Sequence, residues 1–290
     1  MIRAFGLLRR SPPAMVGTII LAVVLFVTLA APLVSPADPR QVNPEARLLP
    51  PMSSALPAAS APAGRPTLHI LGTDAIGRDV LSRVIYGGRI SLAVGVLAAL
   101  LSGAFGMLVG CISGYWGGWI DAAASWLVDV QLSFPFLLLA IFLLGALGGG
   151  VAAVIVILAL GTWVNTARIV RGQVLSIKSQ GYVEAALTTG ASPGRVLLRH
   201  ILPNTLSPVV VLASFAMAQA ILTEAGLSFL GVGLDPSTPS WGTMMNDGRD
   251  YLVTAWWIGA VPGLAIAVTV LGATLLGEGL RDLLDPRRGR

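Results

Sequence analysis

The sequence predicts an all-α membrane protein with six transmembrane helices. Of its 290 residues, 55% are hydrophobic and only 11% are charged, and the mean hydropathy is +0.80. Soluble domains carry about 25% charged residues. Uncharged runs of roughly 20 residues, the length that crosses a bilayer, recur along the chain. Its helices are therefore expected to pack against lipid and one another.

The first apolar run covers residues 14–33 and follows Arg3, Arg9 and Arg10. Small residues near Ala30 resemble the cleavage site of a signal peptide, which is the alternative interpretation. The apolar region of a signal peptide is about 7–15 residues long, and this run is longer. We therefore expect residues 1–36 to form a short tail and a retained first transmembrane helix.

Residues 37–88 are expected to lie outside the membrane. The stretch 34–66 is rich in Pro, Ala and Ser and has no period, which is typical of an extended loop. Asp79–Tyr86 follows with its apolar residues on one helical face, and Gly87-Gly88 predicts the end of this short amphipathic helix. Asp79 and Arg83 are four residues apart, and we interpret them as a surface pair or a helix-capping element.

The core of the predicted membrane domain is residues 89–280. Its second span is uncharged and contains glycines that permit close helix packing. The third span starts near Ala123, carries Asp129, and ends at the glycines of residues 148–150. The second, fourth, fifth and sixth spans cover Ile90–Tyr115, Val151–Arg171, Thr205–Thr223 and Thr254–Gly277. Residues 281–290 form a charged tail.

The distribution of basic residues predicts the orientation of these spans. Six spans place both ends of the chain on one side of the membrane, together with residues 168–204. That side carries twelve of the nineteen Lys and Arg residues. Since basic residues are enriched in cytoplasmic segments, both ends are expected in the cytoplasm.

Sequence motifs for chemistry are absent. There is no phosphate-binding G-x-x-x-x-G-K-[ST], no H-E-x-x-H and no G-x-S-x-G. Cys111 is the only cysteine, and His69 and His200 are too far apart to suggest a metal site. The net charge of +5 comes without a basic and aromatic patch outside the spans, which argues against nucleic acid. We expect no catalytic, cofactor or metal site, so any energy must come from a partner.

The most informative stretch is a polar, basic island at residues 182–204, between two apolar runs. Residues 179–189 favour a helix that contains Glu184, Ala185 and Ala186. Gly190 then permits a turn. The small residues would leave a smooth surface suited to a partner's groove.

A second short helix is predicted after this turn. Ser192 is a favourable N-cap and Pro193 fits the first helical position. Arg195 and Arg199 then lie on one helical face, and Pro203 is expected to end the helix. The island is therefore predicted to be a helix-turn-helix on the membrane surface.

This island resembles the Glu-Ala-Ala loop of ABC importer permeases, on Glu184-Ala185-Ala186, Gly190 and Leu202-Pro203. One position departs from the general pattern, since His200 stands where that family has Ile. Residues 71–92 (LGTDAIGRDVLSR, then RISL) and 223–242 (TEAGLSFLGVG, then PSWG) resemble the dipeptide, oligopeptide and nickel subfamily. The second permease of dipeptide and oligopeptide importers is the most similar type.

The resemblance implies a type I ABC importer permease fold with a cytoplasmic coupling helix in a loop over residues 179–204. The coupling residues that it implies are Glu184, Ala185, Ala186, Gly190, Arg195 and Arg199. The two arginines also fit a role against lipid headgroups. The implied partners are a homologous second permease, two ATP-binding subunits or domains that hold ATP and Mg, and an extracytoplasmic solute-binding protein.

Candidates for the translocation path or its gate are Asp129, Glu224, Leu227 and Phe229. Carboxylates inside a membrane often have a functional role. For Asp129 and Glu224 the alternative is that each makes a structural pair with another residue. Residues 227–232 fit either a re-entrant turn that closes an outer gate or an ordinary surface loop. Trp256 and Trp257 fit an aromatic belt at the membrane surface.

The expected function is that of a multi-pass permease subunit in a bacterial cytoplasmic membrane, which imports di- or oligopeptides with ATP hydrolysed by its partners. Import of nickel or another small solute is an alternative. An ion-coupled secondary carrier is the alternative from another class, but it predicts inverted repeats and several mid-span ionisable groups. Neither is evident in the sequence.

Overall fold

The computed structural model describes residues 11–56, 67–235 and 237–284. Within these ranges, five helical runs are long and apolar enough to cross a membrane, and a bent helix pair supplies a sixth span if it counts as one. This agrees with the six predicted spans. Arg3, Arg9 and Arg10 and the tail beyond Leu284 lie outside the described residues.

The N-terminal part contains one span and a small extramembrane structure. Helix α1 (Pro12–Leu29) is followed by the one-turn helix α2 (Ala31–Val34). A 3-10 turn (Pro44–Ala46) comes next, and strand β1 (Ser53–Ala55) pairs antiparallel with β2 (Thr67–His69). The segment 34–66, expected to be an extended loop, therefore contributes one strand to a two-stranded sheet, and the second strand follows directly after it.

Helix α3 (Val80–Trp116) is continuous over 37 residues. The prediction that Gly87-Gly88 ends a separate short helix is wrong. A Cβ atom at Gly88 would lie 2.4 Å from Thr28 Cγ2 and 2.9 Å from the Trp241 ring. The glycine therefore permits close packing against other elements without breaking the helix.

The third span is bent. Helices α4 (Gly118–Leu132) and α5 (Phe136–Leu147) meet at 88° across a short break. The expectation of one helix from about Ala123 is corrected, because Pro135 disfavours helical geometry at the residue before it. Helix α6 (Val151–Lys178) then starts after the glycines of residues 148–150, as predicted.

The 179–204 loop contains α7 (Gly181–Thr188) and the one-turn helix α8 (Pro193–Val196). Gly190 lies between them with φ +87°. A π-helical turn (Leu197–Ile201) leads directly into α9 (Leu202–Phe229).

Pro203 therefore does not end the second short helix, contrary to the prediction. Proline cannot donate a backbone hydrogen bond. The π-helical turn just before Pro203 has a wider hydrogen-bond spacing than an α-helix, and this change occurs where the proline donor is missing. Ser192 does occupy the N-cap position, but its side chain makes no capping bond.

The C-terminal part consists of α10 (Trp241–Gly248), a 3-10 turn (Arg249–Tyr251) and α11 (Trp257–Leu284). Helix α10 starts with a capping box, in which Ser240 and Thr243 bond each other's backbone. Helix α11 starts and ends later than the predicted sixth span and includes Arg281.

The bundle is built around α3, and glycines set its closest contacts. A Cβ atom at Gly106 would lie 2.5 Å from Trp163 O, and one at Gly110 would lie 2.6 Å from Ala167 O, so α3 and α6 touch through their backbones. Helix α1 packs on α11 similarly, since a Cβ atom at Gly17 would lie 2.6 Å from Gly272 O. These contacts are the close helix packing that the glycine content predicts.

Candidate functional site

The 179–204 loop is anchored to the bundle by buried apolar side chains. Val183, Val196 and Ile201 are each 0% exposed. They belong to a cluster that includes Val170 and Val174 of α6 and two residues of α3, Cys111 and Tyr115. The loop therefore rests on the ends of two membrane-spanning helices.

The opposite face of the loop is open. Of the predicted coupling residues, Ala186 is half-buried, and the five exposed ones are Glu184, Ala185, Gly190, Arg195 and Arg199. No atom lies within 4 Å of a Cβ placed on Gly190. The structure thus brings the predicted residues together on one loop with a smooth, unobstructed turn.

The turn at Gly190 is a hydrogen-bonded helix end. Ala191 N donates to Ala186 O and Gly190 N donates to Leu187 O, both at 3.0 Å. These are the two bonds of the Schellman motif, which requires a left-handed residue such as glycine. Thr189 Oγ1 adds a bond of 2.9 Å to Ala185 O. The turn therefore has a defined shape before any partner binds.

Two further contacts, one between the ends of α6 and α3 and one within the loop, are not indicated by the sequence. Lys178 Nζ donates to Tyr115 O at 2.8 Å and lies 5.3 Å from the centre of the Tyr115 ring, joining the ends of α6 and α3. The rings of Tyr182 and His200 lie 6.0 Å apart across the loop. Lysine often bonds the last carbonyls of a helix, but the predicted fourth span ends at Arg171, seven residues before Lys178, and the partner of this lysine is set by the fold.

Comparison with known proteins fits this architecture. The model of the family described as binding-protein-dependent transport system inner membrane component matches residues 106–290. The chain belongs to this family. Residues 2–51 also match the family described as the N-terminal transmembrane domain of oligopeptide transport permease C. The chain is therefore a multi-pass inner-membrane permease component of an ABC importer.

Curated relatives extend over most of the chain. The dipeptide transport system permease protein DppC of Alkalihalophilus pseudofirmus is 37% identical, covering 98% of this chain and 89% of its own length. DppC of Haemophilus influenzae is 40% identical, with 94% and 90% covered. The glutathione transport system permease protein GsiD of Pectobacterium atrosepticum is 43% identical, with 77% and 74% covered.

A solved structure supports the fold. The inward-facing MetNI methionine ABC transporter contains a chain that superposes with a TM-score of 0.54 at 23% sequence identity. The superposition covers 70% of this chain and 97% of that one. The type I importer permease fold is thus the fold of this protein.

Three of the candidate path residues lie at one end of α9, away from open space. Glu224 is 1% exposed and accepts hydrogen bonds from Ser228 Oγ at 2.8 Å, Ser240 Oγ at 2.9 Å and Ser91 Oγ at 3.3 Å. It thereby joins α9 to α3 and to the start of α10. This geometry favours the structural alternative for Glu224.

Leu227 is 1% exposed and lies in an apolar cluster, and Phe229 is half-buried. The interpretation of residues 227–232 as one turn is corrected, because α9 continues to Phe229 and the turn follows at Leu230 and Gly231. Glu224 and Ser228, one turn apart near the end of this helix, bond each other.

Asp129, the fourth candidate, lies on α4 with its side chain 72% exposed. Its Oδ1 atom lies 3.4 Å from Nη2 of Arg168, on α6, whose side chain is 54% exposed. Arg171, less than one turn from Arg168, contacts Asp121 of α4 through two bonds of 2.5 Å. Of the four candidates, Asp129 is the one that faces open space.

The extramembrane part differs from its prediction. Asp79 does not pair with Arg83. It caps α3 by accepting from Ser82 N and Oγ, each at 2.7 Å, and lies 2.9 Å from His69 Nδ1. The capping alternative for Asp79 is therefore confirmed, and the surface pair is wrong.

Trp257 is also displaced from its predicted role. It is 6% exposed and its Nε1 donates to Thr73 O at 3.1 Å, so it anchors the extramembrane segment, whereas its neighbour Trp256 is 57% exposed. Among the residues that the structure describes, no group of three or more His, Cys, Asp or Glu is placed to hold a metal ion.

Proposed function

We propose that this chain is one of two permease subunits of an importer for short peptides, driven by ATP that its partners hydrolyse. The observation that carries the proposal is the set of curated relatives named as dipeptide or peptide permeases, which cover 94–98% of the chain. The second permease is a homologous, non-identical chain, and the substrate path lies between the two.

The 179–204 loop is the site of coupling to the ATPases. Its open face carries Glu184, Ala185, Gly190, Arg195 and Arg199, and Ala186 lies just beneath. Its buried face contacts α3 and α6 through Val183, Val196 and Ile201. ATP binding that favours one position of the loop therefore favours one arrangement of the spans, which is alternating access by a shift between two states.

The proposal includes an orientation and a division of labour. The loop and both ends of the chain lie in the cytoplasm, and the sheet and α10 lie outside, where a solute-binding protein delivers the peptide. ATP and Mg are held by two partner subunits or domains, because this sequence has no phosphate-binding motif of its own.

Nickel and another small solute are the alternative cargoes that an experiment must separate, since the family match leaves no support for an ion-coupled carrier. The relatives named as glutathione permeases are consistent with a peptide cargo, since glutathione is a tripeptide. The solute-binding protein contributes to the selection among peptides.

The test is uptake by the whole transporter, reconstituted in proteoliposomes with the permeases, ATPases and binding protein encoded by adjacent genes. We expect labelled dialanine to enter only with ATP, Mg and binding protein present. Nickel chloride and glutathione serve as competing cargoes. Uptake of nickel without uptake of any short peptide would reject the peptide cargo.

A further inference from the structure

The Asp129–Arg168 pair lies in the part of the bundle that leads to the 179–204 loop. Arg168 is ten residues before Lys178, the last residue of α6. Helix α6 is long and apolar enough to cross a membrane, and α4, which carries Asp129, belongs to the bent pair that supplies a sixth span. Both charged side chains therefore lie on segments where charge is costly unless protein or water surrounds it.

Both members of the pair are open in this chain. The side chains of Asp129 and Arg168 are 72% and 54% exposed. Charged groups within membrane-spanning segments almost always face protein or a water-filled cavity. The exposed face of α6 around Arg168 is mixed: it carries the polar or small residues Asn165, Gly172 and Ser176 and the apolar residues Ile169 and Leu175.

The pair is also incompletely bonded. The contact of 3.4 Å is the only side-chain interaction of either residue within the described ranges. By contrast, Arg171 and Asp121 make two bonds of 2.5 Å. A guanidinium has five donors and a carboxylate has two acceptor oxygens, so Arg168 and Asp129 can each bind a further charged group.

A cavity of suitable size adjoins the pair. It has a volume of about 370 Å³ and is lined by the polar residues Ser113, Ser125, Asp129, Arg168 and Arg171 and by four apolar residues, Val109 and Val128 among them. Small-molecule sites span about 300–1,000 Å³. The space therefore suits a ligand of a few residues, and its opposite charges complement a ligand that carries both signs.

We propose that Asp129 and Arg168 form a transient binding site for the charged ends of a short peptide during its passage. Asp129 accepts hydrogen bonds from the α-ammonium, and Arg168 donates to the α-carboxylate, for which a guanidinium is suited. This inference rests on the proposed function, because it takes a zwitterionic peptide as the cargo. The weak contact between the two side chains is exchanged for two bonds to the peptide.

The test compares dialanine with two analogues that each lack one charged end, N-acetyl-dialanine and dialanine amide. Initial uptake rates are measured in proteoliposomes containing the whole transporter with binding protein in excess. Because the binding protein is the same in every reaction, its own preference cancels when ratios of rates are compared between variants.

We expect Arg168→Gln to lower the rate for dialanine about tenfold more than the rate for the amide, the effect of losing one charge-assisted bond. Asp129→Asn should discriminate in the same way between dialanine and its N-acetyl analogue. An equal decrease for all three substrates, with unchanged ratios, would overturn the inference and show a contact to the second permease or a structural bridge. If the unmodified transporter hydrolyses ATP but imports none of the peptides, the proposed function itself fails, and this inference with it.

Discussion

Arg83 and Asp74 form a buried ion pair, with Nη1 2.6 Å from Oδ2 and both side chains no more than 2% exposed. Arg83 also lies 2.9 Å from Asp247 of α10. The guanidinium of Arg83, at the start of α3, thereby joins the turn that precedes α3 to helix α10, which is more than 150 residues further along the chain. The extramembrane segment is fixed to the bundle at this point.

Replacing Asp74 with Ala should destabilise the protein. Breaking a buried ion pair from one side costs about 3–5 kcal/mol, since the remaining charge is uncompensated. Asp247 still faces Arg83, but Asp74 also accepts from the backbone N–H groups of Ile76 and Arg78 and from Arg78 Nε, so we expect a cost within this range. Thermal unfolding of the purified transporter should show a lower Tm. Asp38→Ala, at an exposed position, is the matched control, and equal Tm values for the two variants would contradict the assignment.

Replacing Gly110 with Ala should loosen the contact between α3 and α6. The added Cβ would lie 2.6 Å from Ala167 O and 2.9 Å from Val170 Cβ. Overpacking of this kind costs about 1–3 kcal/mol. At Gly103 of the same helix the nearest atom is 3.8 Å away, so Gly103→Ala should be tolerated. The Tm of the two variants tests the difference, and a tolerated Gly110→Ala would mean that the backbones separate at little cost.

Substitutions of Glu224 should separate hydrogen bonding from charge. Glu224→Gln keeps an oxygen for the Ser228 and Ser240 hydroxyls and should change stability by less than about 1 kcal/mol. Glu224→Ala removes the acceptor of three hydroxyls and leaves a cavity, at a cost of about 2–4 kcal/mol. The Tm and limited proteolysis near α10 measure the stability of both variants. If Gln is as damaging as Ala, the negative charge is what the site requires.

The sequence predicted features that depend on local spacing. The apolar runs, the helix break at residues 148–150 and the two helices around Gly190 all follow from composition and neighbouring residues. Partners set by tertiary contact were not predictable. Arg83 had a suitable acid four residues away, but folding placed Asp74 and Asp247 around it, and Asp79 was taken by the helix N-terminus.

Glycine and proline carried the same ambiguity. Gly87-Gly88 suggests a break because glycine weakens helices, but the same residues allow the approach of Trp241. Pro203 suggests the end of a helix, but a π-helical turn precedes it and the helical run continues. Each residue type has a local cost and a packing use, and only the neighbouring elements decide between them.

Replacing Gly190 with Asp should uncouple transport from ATP hydrolysis. Gly190 has φ +87° and open space where a side chain would go. Asp and Asn both tolerate this left-handed geometry, so the fold should survive in either variant. An unpaired carboxylate buried in a protein interface weakens binding more than an amide of the same shape does. We therefore expect Gly190→Asp to lower ATP-dependent uptake about tenfold relative to Gly190→Asn. Co-purification measures whether the ATPases still bind, and proteoliposomes measure the rate of ATP-dependent uptake. Uptake at the unmodified rate in the Asp variant would mean that this turn is not part of the contact with the ATPases.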